Sequence, residues 1–230
     1  MTSAPTAIAL RGQPTHVFVN VPFDDDCLPL LHSLLFTIHA CGFTARTALE
    51  DVGGAGSRLA KIARIVDESL YSVHDISRIG LDKASGLPRF NMPFELGLAV
   101  GTVLFGDVPG RDLLVLCEKE HQDKVLLSDM AGQDARAHEN KPRKVVDGVR
   151  NFLAAKKGWS KTTVGATALW EKYQLFQAQL PDMARSACIT LAELNTFAYL
   201  GDWLNLVAIW LPDIPLRAAP AKRVIKKSHP

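Results

Sequence analysis

Apolar and polar positions along the first half of the chain switch between strand-like and helix-like patterns. His16 to Pro22, HVFVNVP, is a β-branched apolar run closed by Pro22 and predicts a first strand, with Phe23 to Asp26 as the loop after it. Leu28 to Cys41 predicts a helix, because Leu31, Leu34, Leu35 and Ile38 fall at helical spacing and Gly42 follows its end. Phe43 to Leu49 reads as a second strand, and Ser57 to Val66 as a helix with Ser57 as its N-cap. Leu70 to Ser77, LYSVHDIS, is a buried strand leading into a polar loop from Arg78 to Arg89. Phe90 to Gly106, FNMPFELGLAVGTVLFG, predicts an almost wholly apolar helix with Asn91 as N-cap and Pro93 in its first turn, and Asp112 to Glu118 predicts the next strand.

Four strands alternating with helices imply an α/β fold: an open parallel sheet of flavodoxin or Rossmann type, flanked by helices. Further on the pattern loosens. Lys124 to Leu127 reads as a short last strand, and Ser128 to Asn140 as a surface loop, with a lid carrying Asp129, Asp134 and His138 over the sheet's edge as the alternative. Pro142 to Ala155 is an amphipathic helix, and Gly158 to Thr163 resembles a linker. Helices are then expected over Ala166 to Leu180 and Asp182 to Trp210, broken by Pro181. The expected organisation is an α/β domain over residues 1–157, a helical extension over 158–215 and a basic, disordered tail over 216–230. The extension's apolar residues, among them Trp170, Leu175, Phe176, Leu194, Phe197, Trp203, Leu206 and Trp210, need a partner. Either a second copy or the α/β domain itself supplies it, and a homo-oligomer is the expectation.

Composition narrows the class. The 230 residues are 47% hydrophobic and 22% charged, enough for a proper core. Five of the 26 basic residues (Arg217, Lys222, Arg223, Lys226, Lys227) lie in the last 14 positions, leaving 21 against 24 acids, or −3, for the rest. A body of that charge is not a nucleic-acid footprint. Cys27, Cys41, Cys117 and Cys188 are scattered without a CxxC pair, which argues against a zinc site and fits buried thiols in a reduced compartment. No signal-peptide pattern and no apolar run of membrane-spanning length is apparent, so a soluble cytoplasmic protein is expected.

The candidate chemistry centres on Glu95, the one charge in the Phe90–Gly106 helix. A carboxylate there either caps the helix start or works in a site. Ligands of open parallel sheets sit outside the carboxyl ends of the strands, which would gather Asp75, Ser77, Asn91 and Glu95 along one cleft. A strand ending Asp-x-Ser, a loop, then Asn-x-Pro-x-Glu-Leu-Gly-x-Ala resembles the nucleoside 2-deoxyribosyltransferase-like superfamily and its relatives, the bacterial TIR (Toll/interleukin-1 receptor) NAD-cleaving domains. The likeness spans about Val17 to Glu118 and is sharpest from Ser69 to Gly101.

That resemblance implies a catalytic Glu95 cleaving the N-glycosidic bond of NAD or a related nucleotide or nucleoside, with NAD as substrate rather than cofactor. It also implies a bacterial defence effector switched by assembly. A carboxylate in a partly dry pocket stabilises or attacks an oxocarbenium-like anomeric carbon. Asn20, Phe23, Asp75, Ser77 and Asn91 are the expected substrate-binding residues. Two departures leave the substrate open: the first strand ends Asn20-Val21-Pro22-Phe23 without the aromatic-plus-glycine loop of a deoxyribosyltransferase, and a minimal TIR domain lacks the C-terminal helices. A non-catalytic nucleotide sensor and a helical adaptor are the alternatives. VGGAGS (52–57) reads as a turn rather than a phosphate loop, Asp24 to Asp26 as a solvated loop or cap rather than a metal site, and His74 and Asp75 as facing opposite ways.

Overall fold

The computed structural model describes residues 15–50, 57–80, 86–120, 135–156 and 164–211. Five strands, β1 (His16–Asn20), β2 (Thr44–Thr47), β3 (Tyr71–Asp75), β4 (Asp112–Cys117) and β5 (Arg136–Ala137), form one all-parallel sheet in the order β2-β1-β3-β4-β5. This is the flavodoxin-like order, whose switch point lies between β1 and β3. Helices α1 (Leu28–Ala40) and α4 (Pro142–Ala154) cover one face; α2 (Arg58–Glu68) and α3 (Asn91–Leu104) cover the other.

Strand alternation sorts the core into these two layers. Val17, Val19, Tyr71, Val73, Leu114 and Leu116 point toward α1 and α4, while Phe18, Leu113, Val115 and Cys117 point toward α2 and α3. The local signals act as expected at two ends. Ser57 accepts a hydrogen bond from the Ala60 N–H as N-cap of α2. Gly42, with φ of 78°, closes α1 as the Phe43 N–H reaches back to the Ile38 carbonyl and the Gly42 N–H to that of His39.

The chain beyond α4 departs from expectation. Helix α5 (Ala166–Ser186) runs straight through Pro181, because Phe176, Leu180 and Ala184 on either side of it are buried in the core and their packing outweighs the lost Gln177 carbonyl bond. It stops instead at Cys188, which adopts φ of 57° as the Ile189 N–H bonds the Ala184 carbonyl. Cys188 is therefore exposed, whereas the other three thiols are buried. A short α6 (Leu191–Leu194) with a Thr190–Glu193 capping box leads to α7 (Leu200–Trp210).

These helices form a third layer, continuous with the α1 side of the core. Phe176, Leu194, Trp203 and Leu206 are buried within the chain; Trp170, Phe197 and Trp210 are half-buried and Leu175 is exposed. The last strand is β5, inside the polar stretch read as a surface loop, and it is held by main-chain pairing with β4 rather than by an apolar pattern. The strand expected at Lys124–Leu127, the VGGAG stretch (52–56), the linker at 158–163 and the basic tail lie outside the described residues. No helix among the described residues is long and apolar enough to cross a membrane.

Candidate functional site

Two polar groups occupy the carboxyl end of the sheet, one on each face. On the α1/α4 side, Asp75 shares the direction of Val73 and is buried with Ser77 and His138. The Ser77 N–H and Oγ–H both donate to Asp75 Oδ1, at 2.8 and 2.5 Å. His138 Nδ1 accepts from the Asn140 N–H at 3.0 Å, so its proton sits on Nε2. That Nε2–H faces Ser77 Oγ at 2.7 Å and Asp75 Oδ2 at 3.4 Å. Glu139 and Asn140, at φ of 51° and 55°, make the left-handed turn that swings the histidine inward from β5. His138 is therefore a buried anchor and not part of a lid; Asp129 and Asp134 lie outside the described residues.

This order of proton donors excludes a histidine-activated serine. Ser77 already gives its proton to Asp75, and His138 is the donor rather than the base. Asp75 in turn has both carboxylate oxygens engaged.

On the α2/α3 side, the Asn20 amide donates to His74 Nδ1 and to the Met92 carbonyl, both at 3.1 Å. His74 Nε2–H then donates to Ser72 Oγ at 2.9 Å. Burial pushes His74 down to about 3, so the ring is a neutral relay of hydrogen bonds that ties the end of β1 to the first turn of α3. Ser72 escapes sequence reasoning, and His74 is weighed there only against Asp75, although two polar residues at i and i+2 on one face of a buried strand are a legible signal. His74 and Asp75 do point to opposite faces, as expected.

Glu95 follows Met92 by three residues on α3 and is only 7% exposed. Its carboxylate has no hydrogen-bond partner among the described residues. Burial pushes its pKa up, opposed only by the Arg58 guanidinium at the start of α2. Glu95 is thus no capping residue. Nor is Asn91 the N-cap: the helix begins at Asn91, and Phe90 holds the cap position without a side-chain bond, since Phe90 already turns with αR backbone angles. Asn91 itself is exposed.

The single cleft expected along Asp75, Ser77, Asn91 and Glu95 is accordingly divided. Asp75 and Ser77 belong to the face under α1 and α4, Glu95 to the helix layer on the other face, because β3 alternates and α3 crosses back on the far side. Two predicted binding residues share the Glu95 side: Asn20, bonded to the first turn of α3, and Asn91, exposed at the start of that helix. Phe23, just past β1, packs edge-on against Phe197 at 5.4 Å, which brings the C-terminal layer to the rim of the carboxyl end. The aspartates before α1 are engaged by arginines: Asp24 pairs with Arg89 and Asp26 with Arg78. Asp24, Asp26 and Cys27 lie close enough together to share an ion, but those pairings and a Cys27 thiol raised to about 11 by burial do not suit a metal.

Comparison with protein-family models, with curated proteins and with solved structures finds no match to this chain.

Proposed function

We propose that the chain cleaves the N-glycosidic bond of NAD or a related nucleotide, with Glu95 as the carboxylate that stabilises or attacks the anomeric carbon. The observation that carries this reading is a carboxylate on a residue only 7% exposed, raised in pKa by burial and taking no hydrogen bond among the described residues while its oxygens still reach solvent, at the carboxyl end of a parallel sheet. A charge held there at a cost to the fold is relieved when a cationic centre forms beside it, which is what an oxocarbenium-like transition state brings. Asn20 and His74 serve as positioning residues, fixing the α3 turn from which Glu95 projects.

The pattern of occupied donors favours a particular leaving group. Asp75 is engaged by Ser77 and His138, so it is not poised to protonate a departing base. Nicotinamide leaves neutral from a cationic pyridinium and needs no such acid, whereas an adenine or pyrimidine does. NAD is the substrate this arrangement suits. The separation of Asp75 from Glu95 on opposite faces also favours a second reading, a nucleotide sensor that binds its ligand without turnover.

Incubating the purified chain with NAD and a panel of nucleosides, and separating free bases by chromatography, tests both. Nicotinamide release that disappears in Glu95→Gln supports the enzyme; saturable NAD binding without release supports the sensor. Release unaffected by Glu95→Gln overturns the role given to this residue.

A further inference from the structure

The outer face of α3 carries an apolar stripe that no described residue covers. Phe90, Phe94, Gly97, Gly101 and Leu104 recur at alternating steps of four and three, a helix seam of coiled-coil type, and Phe105 continues it. Phe90 is 69% exposed, Phe94 54%, Leu104 66% and Phe105 85%. The helix bears no charge other than the buried Glu95, so the face offers nothing for a charged partner to recognise.

The two glycines are the sharper observation. Glycine is among the least favourable residues in a helix interior, and it is tolerated there when a backbone must approach closely. At Gly97 and Gly101 a Cβ would meet nothing within 4 Å among the described residues. Their smallness serves no packing among the described residues, which leaves room for a close approach by something outside them.

We propose that this something is α3 of a second copy, crossing antiparallel about a two-fold axis. The stripe is complementary to itself in that arrangement. An axis between Gly97 and Leu98 sets Phe94 of each copy opposite Gly101 of the other, a ring over a bare backbone, and Phe90 opposite Phe105. The three phenylalanines alone expose on the order of 400 Å² per copy, and Leu104 and the glycine backbone enlarge that toward the roughly 600 Å² per partner at which specific interfaces begin. This assembly is independent of whether Glu95 is catalytic, and it uses a different surface from the C-terminal helices.

Sedimentation equilibrium over a concentration series tests it. The wild-type chain should reach twice its 25.1 kDa mass at micromolar concentration. Phe94→Glu and Gly101→Leu should each weaken association by about tenfold or more. Gly101→Ala, which favours the helix and fits the open space, should fold at least as well as wild type and still weaken it. Leu175→Glu and Ile209→Glu, on exposed positions of α5 and α7, should leave association unchanged. A chain that stays at 25.1 kDa to high micromolar concentration overturns the proposal, as does a dimer lost in Ile209→Glu but retained in Phe94→Glu and Gly101→Ala.

Discussion

The His32 imidazole lies flat on the Trp203 indole, with ring centroids 4.2 Å apart and planes 3° from parallel. Both side chains are buried, and the stack joins α1 of the α/β layer to α7 of the C-terminal layer. Trp203 also meets Phe176 edge-on at 5.5 Å, so one indole locks α1, α5 and α7 together. Trp203→Ala should cost about 3–5 kcal/mol, read as a lower midpoint of denaturant unfolding, in a single transition because the layers share one core.

Acid should unfold the chain through its buried histidines. Burial pushes His32 and His39 down to about 4 and His74 to about 3, from an ordinary 6.5. In the unfolded chain these rings take up protons below pH 6.5 while the folded chain excludes them. Their stabilisation is thus complete above pH 6.5 and is lost as pH falls toward 4 and 3. Melting temperatures measured at pH 7, 5.5 and 4 should fall in that order.

Glu95 titrates with the opposite sign. Its folded pKa lies above its ordinary 4.5, so the ionised form is penalised only in the folded chain. Glu95→Gln should therefore raise the melting temperature at pH 7, and the gain should vanish below about pH 4.5, where both states hold the protonated acid. Glycosidic cleavage by the same variant should drop by about 100-fold or more. A carboxylate that merely capped α3 gives the reverse in calorimetry: a lower melting temperature at pH 7.

Ser77→Ala tests the buried triad as a strut. It removes the hydroxyl that bridges Asp75 and His138, leaving a buried carboxylate oxygen and an imidazole N–H short of partners. The expected loss is about 1–3 kcal/mol by chemical denaturation. Ser77→Cys, which keeps a weak donor, should lose less.

The sheet and its first four helices were legible because their signals are local: a capping Ser57, a closing Gly42, β-branched runs of strand length. The two-residue β5 was not, since its pairing lies in the main chain and its residues are Arg136 and Ala137. Pro181 misled for a physical reason, in that a proline weakens a helix locally while Phe176 and Leu180 hold it through tertiary contacts. The stop at Cys188 had no sign, as cysteine has no leaning toward left-handed backbone. For the site, alternation separated His74 from Asp75 correctly, but carrying the same argument to Glu95 required knowing that α3 covers the opposite face. His138 looked like loop because its neighbours are polar; its burial arises from the turn at Glu139 and Asn140.

The two ends of the sheet bear on aggregation. Among the described residues its borders are β2, four residues long with Arg46 engaged by Glu50, Glu68 and His16, and β5, two residues long. A sixth strand from another chain, seeking to extend the sheet by β-augmentation, finds too few free main-chain donors and acceptors in line, and a cationic side chain at one border. Growth of amyloid-like ribbons from the native state is thereby discouraged, and misassembly at high protein concentration is steered toward helix faces, where contacts remain reversible and close on themselves.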